Sequence, residues 1–239
     1  MTFFFFGCII TNEEIREKDV KYISEIQMEE KIILIRHGQS VGNLKRIYLG
    51  HTNLGLSELG VEQAERTARY FKDEKISAIY SSDLDRAYFT AIPHAKFHNL
   101  PIIKTEELRE IYMGLWEGVA IDEIRKTQQY EFDIVWRQKF GESTPPGGEK
   151  VTDAARRIYN KLISIAKAHD GKILVTTHAA LIRSLFGLLS GLAPSEWGEA
   201  YFFPTNASAS YLGFDGEKLI PLKYSFDDYL NAKEEHTEA

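Results

Sequence analysis

Three short runs of mainly apolar residues constrain the fold of this chain more than any other feature. Ile32–Ile35, Ile76–Tyr80 and Lys172–Thr176 lack the polar alternation of a half-exposed strand, as expected for strands covered on both faces. Amphipathic helical segments lie between them, one beginning at Ser57 as N-cap and one spanning Val151–Ile165. Strands that alternate with helices predict a mostly parallel sheet with helices on both sides.

The remaining segments fit the same architecture. Pro93 should kink or break the helix that contains it, because proline lacks the N–H that a helix interior needs. The Asp215-Gly216 pair predicts a turn between two antiparallel strands. The expected fold class is α/β, a three-layer α/β/α sandwich in one domain. The other predicted elements are a strand around 102–103, strands at Ser208–Gly213 and Lys218–Lys223, and helices at Leu84–Phe97, 119–139 and Ala179–Leu189.

Composition excludes several classes of protein. The 239 residues carry a formal net charge of −6, so no broad basic field is present for nucleic acid. The single cysteine, Cys8, excludes an internal disulfide and a multi-cysteine metal site. A lone cysteine is typical of a reducing compartment, so a cytoplasmic location is expected.

The chain divides into three parts. Residues 1–30 form an extension with the run Phe3–Phe6, which is too short to span a membrane. We expect it to pack on the body of the protein or on a second subunit of a homo-oligomer, with a weak contact at a membrane surface as the alternative. Met28 is a candidate alternative start. Residues 31–224 should form the catalytic domain, and 225–239 an acidic, frayed tail.

Charged side chains follow the predicted strands where those strands end. Arg36 and His37 follow the first strand, Arg86 comes shortly after the second, and His178 follows the strand at Lys172–Thr176. Because ligands of open α/β sheets bind outside the carboxyl ends of the strands, these four residues should meet at one edge. Arginine forks match phosphate oxygens in geometry and charge, so the cluster predicts a site for a phosphate dianion.

The same residues belong to a series of motifs in a fixed order. They are Leu34–Asn43 (LIRHGQSVGN), Leu56–Gly60 (LSELG), Ser81–Ala87 (SSDLDRA), Leu108–Gly118 (LREIYMGLWEG), Pro146–Glu149 (PGGE) and Thr177-His178. Together they resemble the histidine phosphatase superfamily, the clan of phosphoglycerate mutases and acid-type phosphatases, across residues 31–224. The resemblance implies a phosphoglycerate mutase-like fold. Visible departures are Asn53–Leu56, Lys150 and Ala179-Ala180, none of which touches the four central residues.

A mechanism follows from the side chains and the resemblance. His37 would attack phosphorus, and the two arginines should keep its imidazole unprotonated. Arg36 and Arg86 would hold the non-bridging oxygens while His178 donates from the opposite side. The resemblance assigns the proton for the leaving group to Glu110. Further candidate contacts to the phosphate are Asn43, Ser40 and Ala179, and candidates for the cavity wall are Lys45, Arg46, Tyr48, Tyr112, Met113, Trp116, Trp197, Phe202 and Phe203.

The expected function is hydrolysis of small phosphorylated metabolites, without a cofactor or metal. A phosphoglycerate mutase is the main alternative, but the resemblance implies a longer insertion in mutases than the short segment between Glu110 and Glu149. A catalytically silent phosphate-binding module is the second alternative, and such a protein would be expected to lack His37 or Glu110. The expected partner is the small substrate, with neither nucleic acid nor membrane.

Overall fold

One mixed sheet forms the centre of the protein. A computed structural model describes residues 28–231, except for the side chains of residues 137 and 138. The strand order is β3-β2-β4-β1-β5-β6, in which β1 to β4 are parallel and β5 and β6 antiparallel. The strands are β1 Ile32–Arg36, β2 Ile76–Ser82, β3 Ile102–Thr105, β4 Lys172–Thr177, β5 Ala209–Phe214 and β6 Leu219–Phe226. The helices are α1 Val41–Leu44, α2 Glu58–Tyr70, α3 Asp85–His98, α4 Ile121–Thr127, α5 Gln129–Asp133, α6 Val151–Ala168, α7 Ala179–Leu189, α8 Trp197–Ala200 and α9 Asp228–Asn231.

The continuous apolar run of β1 is explained by two separate cores. Ile32 and Leu34 pack with residues of α6 and α7, whereas Ile33 and Ile35 pack with Phe71 and residues of α3. Successive strand residues point to opposite faces, so a central strand with helices on both sides needs apolar side chains at every position. The predicted α/β sandwich with a mostly parallel sheet is confirmed.

Two helical segments differ from the sequence prediction. Helix α3 continues through Pro93, whose side chain is buried against the protein; packing of α3 outweighs the one backbone bond that proline removes. The single helix expected over 119–139 is divided, because Gln128 has non-helical backbone angles between α4 and α5. A turn of π-helix at Ile134–Gln138 follows.

The end of the described chain is ordered rather than frayed. Strand β6 extends to Phe226, and α9 places Tyr229 in a buried position. The ring of Tyr229 lies 4.6 Å from that of Tyr70 and 5.8 Å from that of Phe71, which explains why residues 225–231 stay on the body of the protein. Residues 232–239 and residues 1–27, with the phenylalanine run and its expected subunit contact, lie outside the described residues. Within 28–231, no helix has the length and apolar character needed to cross a bilayer.

Candidate active site

His37 lies directly after β1 and lines a cavity at the carboxyl edge of the sheet. Its Nδ1–H donates to the carbonyl oxygen of Gly38 at 2.7 Å, so the lone pair is on Nε2. Burial holds the pKa of His37 well below its usual value, and Arg86 and Arg36 lower it further. The ring is therefore neutral at pH 7. The loop requires glycine beside it, since a Cβ on Gly38 would lie 2.4 Å from the carbonyl oxygen of Gly60.

Arg86 is fixed by three acceptors. It lies in the first turn of α3 and is almost fully buried. Its Nη2 donates to the carbonyl of Gly50 at 2.7 Å, Nη1 to that of Thr52 at 3.0 Å, and Nε to Nδ1 of His178 at 3.2 Å. Of five guanidinium N–H groups, two remain for a ligand in the cavity. Burial lowers the pKa of Arg86 to about 10, so the group stays charged at neutral pH.

Arg36 is held less completely than Arg86. Its Nη1 donates to the carbonyl of Pro204 at 2.5 Å, whereas its buried Nε has no partner in the described part of the chain. Burial lowers its pKa to about 10, opposed by the charge of Glu110. A buried donor without an acceptor is costly, and an oxyanion in the cavity would relieve that cost.

His178 directly follows β4, as the sequence predicts, and contacts Arg86. It is fully buried behind Arg86. Its Nδ1 accepts from Arg86, so its Nε2–H faces the hydroxyl oxygen of Ser82 at 2.9 Å. Both nitrogens are thus engaged with the protein, and direct donation from His178 to a bound phosphate stays a prediction. His178 orients Arg86, and Ser82 fixes the ring.

The short helix α1 positions Asn43. Ser40 is its N-cap: the Ser40 hydroxyl accepts from the backbone N–H of Asn43, and Asn43 Oδ1 accepts from that of Ser40. Asn206 donates to the same Oδ1 at 3.2 Å and to the carbonyl of His37 at 3.1 Å. The amide nitrogen of Asn43 is left to donate into the cavity. Ser40 is buried and acts through this cap rather than on the cavity wall.

Glu110 lies at the N-terminus of α7. Its Oε1 accepts from the N–H groups of Ile111 at 3.0 Å and Leu181 at 2.9 Å, and Oε2 accepts from that of Ala180 at 3.1 Å. Among the described residues Oε2 has one donor, so it is the oxygen with room to carry or take a proton. The N–H of Ala179, the first residue of α7, has no partner among the described residues. It adds a donor at the positive end of the helix dipole.

The cavity that these residues line has a volume of about 240 Å³. Its wall also includes Tyr48, Met113 and Phe203 from the predicted wall candidates, together with Ile47, Ile121 and Trp136. The other candidates lie elsewhere. Trp116 and Trp197 are buried in the core, Tyr112 and Phe202 are exposed away from the cavity, and Arg46 pairs with Asp122 at the surface.

Sequence reasoning assigned no separate role to three residues that hold this site together. Ser82 and Asn206 have the contacts just described. Glu117 accepts from the backbone N–H of His51 at 2.6 Å and of Met113 at 3.2 Å, and from the Thr52 hydroxyl at 3.0 Å. Ser82 could have been found, because it ends β2 beside the other site residues, and Glu117 because it lies in the motif Leu108–Gly118; Asn206 gives no comparable signal.

A neutral histidine with a free Nε2, two buried guanidinium groups and a helix N-terminus around one small cavity define the class of site that transfers a phosphoryl group through histidine. The chain belongs to the histidine phosphatase superfamily (branch 1), whose family model matches residues 32–226. The recognition made from the motifs is thereby confirmed, and the protein is an enzyme of that superfamily.

Relatives of this chain include both phosphatases and mutase-like proteins. It is 34% identical to phosphoglycerate mutase-like protein 4 of Arabidopsis thaliana, over 84% of this chain and 87% of that protein. It is 30% identical to phosphoserine phosphatase 1 of Hydrogenobacter thermophilus, over 84% and 94% of the two chains. A mycobacterial glucosyl-3-phosphoglycerate phosphatase has a similar structure, with a TM-score of 0.76 and 27% identity over 83% of this chain and all of that one.

Proposed function

We propose that the protein hydrolyses phosphomonoesters through a covalent phosphohistidine at Nε2 of His37. The observation that carries the proposal is the hydrogen bond from Nδ1–H of His37 to Gly38, which leaves the Nε2 lone pair free in the cavity. Burial and the two arginines keep that ring unprotonated, and only a neutral imidazole can attack phosphorus.

The first step forms the bond between Nε2 and phosphorus and breaks the bond between phosphorus and the leaving oxygen. Arg36 and Arg86 neutralise the non-bridging oxygens, and the Asn43 amide and the Ala179 N–H add hydrogen bonds. Glu110, protonated on Oε2, gives its proton to the leaving alkoxide. In the second step Glu110 takes a proton from water, the water oxygen bonds to phosphorus, and His37 leaves as a neutral ring.

Charge neutralisation comes from guanidinium groups in this scheme, so we propose that turnover is independent of metal. The test is hydrolysis of para-nitrophenyl phosphate after dialysis against EDTA. Unchanged kcat supports the proposal, and activity restored only by an added divalent cation contradicts it.

The intermediate itself gives the sharper test. Enzyme mixed with a ³²P-labelled substrate and quenched in alkali should carry acid-labile label on His37. His37→Ala should carry none, whereas His98→Ala, which changes a histidine of α3 outside the cavity, should label normally. Label on another residue, or burst kinetics without bound label, would overturn the scheme.

Mutase activity is the second candidate, because relatives such as the 2,3-bisphosphoglycerate-dependent phosphoglycerate mutase of Chelativorans, 34% identical over 71% of this chain, have that name. It requires the phosphohistidine to meet a second phosphoglycerate before water. Incubation with 3-phosphoglycerate, with and without 2,3-bisphosphoglycerate, separates the two. Phosphate release that the bisphosphate does not redirect to 2-phosphoglycerate supports the phosphatase. A silent binding module is disfavoured, since His37 and Glu110 line one cavity.

A further inference from the structure

The cavity has a second half that the phosphoryl chemistry does not use. Arg36, Arg86 and His37 lie at one end. The rest of the wall includes the side chains of Ile47, Tyr48, Met113, Ile121, Trp136 and Phe203. These are mainly carbon surfaces, with the phenol of Tyr48 and the indole N–H of Trp136 as their polar groups. The alcohol part of a phosphomonoester bound at His37 would lie against them.

Aromatic stacking fixes this wall. The Tyr48 ring lies between those of Trp136, at 5.6 Å and 12°, and Trp116, at 5.9 Å and 29°. Trp136 in turn makes an edge contact with Phe203 at 5.5 Å. A wall built in this way is largely formed before the ligand arrives, as in most small-molecule sites.

A buried cation supports the wall from behind without entering the cavity. Arg183 lies 4.1 Å from the ring of Phe140 and 4.3 Å from that of Phe203. Its nitrogens donate to the carbonyls of Tyr201 at 2.7 Å, Gly198 at 2.7 Å and Trp136 at 3.3 Å. The guanidinium is thus occupied by the protein and is not available to a substrate.

The charges along the cavity complete the argument. Among the described side chains that line it, the cations are Arg36 and Arg86, and both hold the phosphoryl group in the proposed scheme. A carboxylate on the leaving alcohol would meet apolar carbon, because the phosphoryl group occupies both arginines. A desolvated carboxylate without a cationic partner is strongly disfavoured.

We propose that the substrates of this enzyme are phosphomonoesters of small, uncharged, apolar or aromatic alcohols, and that carboxylate-bearing phosphoesters are poor substrates. This inference rests on the proposed phosphatase function and names the substrate class. The cavity of about 240 Å³ is below the roughly 300–1,000 Å³ common for ligand pockets, so the alcohol is of the size of a single ring.

A matched pair of substrates tests the proposal on the unaltered enzyme. The pair is 4-methylphenyl phosphate and 4-carboxyphenyl phosphate, which differ at one position of the ring. We expect kcat/KM to be at least about 10-fold higher for the methyl compound, which corresponds to one decade of differential binding. The carboxylate makes the phenol a better leaving group, so intrinsic reactivity opposes this result. Equal values, or a preference for the carboxylate, would overturn the proposal.

A variant extends the test to the wall itself. Ile47→Lys puts a cation into the apolar half, and we expect the ratio of kcat/KM for carboxylate over methyl compound to rise about 10-fold. Leu222→Lys is the matched control: Leu222 is a 39% exposed residue of β6 outside the cavity, and its ratio should equal that of the unaltered enzyme. An unchanged ratio in a folded Ile47→Lys contradicts the subsite.

The two proposals fail in different ways. Equal hydrolysis of both compounds removes the apolar subsite and leaves the phosphatase. Turnover of neither compound counts against the phosphatase. In that case the matched benzylphosphonates, with methyl or carboxylate on the ring, test the subsite by calorimetry. Tighter binding of the methyl compound supports it, and equal binding overturns it.

Discussion

The two ends of the active-site cavity are fixed by different forces. At the phosphate end, Arg86 and Glu110 have three hydrogen bonds each to named acceptors or donors. At the other end, Tyr48, Trp136 and Phe203 are fixed by stacking on one another and on a buried cation. Hydrogen bonds depend on direction, whereas apolar contacts depend mainly on area. Small errors in position should therefore impair the phosphate end far more than the apolar wall.

The largest effect is expected from Arg86→Lys. Lysine keeps the charge but loses the fork that reaches Gly50, Thr52 and His178 together with the ligand. We expect kcat to fall by about 10²–10³-fold, the usual cost of removing one donor to a transition-state oxyanion. Steady-state kinetics with para-nitrophenyl phosphate measures it. Arg156→Lys, at an exposed position of α6, is the control, and a loss of less than about 3-fold in Arg86→Lys contradicts the role of the fork.

Glu117 does not contact the substrate, so its substitution tests how strongly catalysis depends on the exact position of Arg86. Its carboxylate binds the segment 51–52 to Met113, and the carbonyls of Gly50 and Thr52 hold Arg86. Gly50 has φ +46°, and a Cβ there would lie 2.2 Å from Glu117 Oε1, so the two are closely fitted. Glu117→Ala should displace Arg86 and lower kcat by about 10- to 100-fold.

The conservative variant separates positioning from charge. Glu117→Gln keeps the Oε1 acceptor for two backbone N–H groups, so it should recover most of the kcat that Glu117→Ala loses. The affinity for inorganic phosphate, measured as a competitive inhibition constant, should follow the same order. A Glu117→Gln enzyme as impaired as the alanine variant would indicate that the negative charge near Arg86, rather than its position, matters.

The sequence predicts the phosphate end well because that end lies at the strand termini. Arg36 ends β1 and His37 follows it, and the topology of a parallel sheet brings Arg86 to them without any knowledge of packing. The bonds of Glu117 could not be predicted in this way, because they join loops that are far apart in the chain. Asn206 likewise reaches His37 from the segment before β5, where no periodicity marks it.

The contacts of His178 and the full composition of the apolar wall could not be predicted from the sequence. A histidine after a strand indicates a site, but which nitrogen is free depends on its neighbours; here Arg86 and Ser82 occupy both. Trp136 occurs in the sequence as part of an expected helix, whereas in the structure it lies in the π-turn at 134–138 and lines the cavity. The positions of the charged site residues can thus be predicted even where a helix is predicted wrongly, whereas the packing of the aromatic residues cannot.

Buried histidines outside the cavity should limit stability rather than chemistry. His94 of α3 is fully buried, and neither ring nitrogen has a hydrogen-bond partner among residues 28–231; burial lowers its pKa to about 3. The unfolded chain binds this proton near pH 6.5, so stability is fully present above that pH and is lost as pH falls toward 3. Between pH 7 and pH 5 the cost from this residue is about 2 kcal/mol.

The free energy of unfolding of the unaltered protein should fall between pH 7 and pH 5, and in His94→Leu this fall should be smaller by about 2 kcal/mol. Urea denaturation at the two pH values measures it. The pH profile of kcat/KM should stay as it is, since His94 does not line the cavity. His98→Leu, on the same helix but only partly buried, should change this fall in the free energy of unfolding much less. If the free energy of unfolding falls equally between pH 7 and pH 5 in His94→Leu and in the unaltered protein, protonation of His94 is not the cause of the destabilisation.

The smallest effect is expected at the apolar end, from Arg183→Lys. The lysine keeps a cation between Phe140 and Phe203 but cannot donate to all three of the carbonyls that Arg183 reaches. The wall should loosen, and KM for phenyl phosphate should rise by about 3- to 5-fold, about 1 kcal/mol of lost contact. The inhibition constant of inorganic phosphate, which occupies only the other end, should not change. A loss of phosphate affinity equal to the rise in KM would mean that a change in the apolar wall also displaces the phosphate-binding residues. That result would contradict the view that the two groups of residues are held independently.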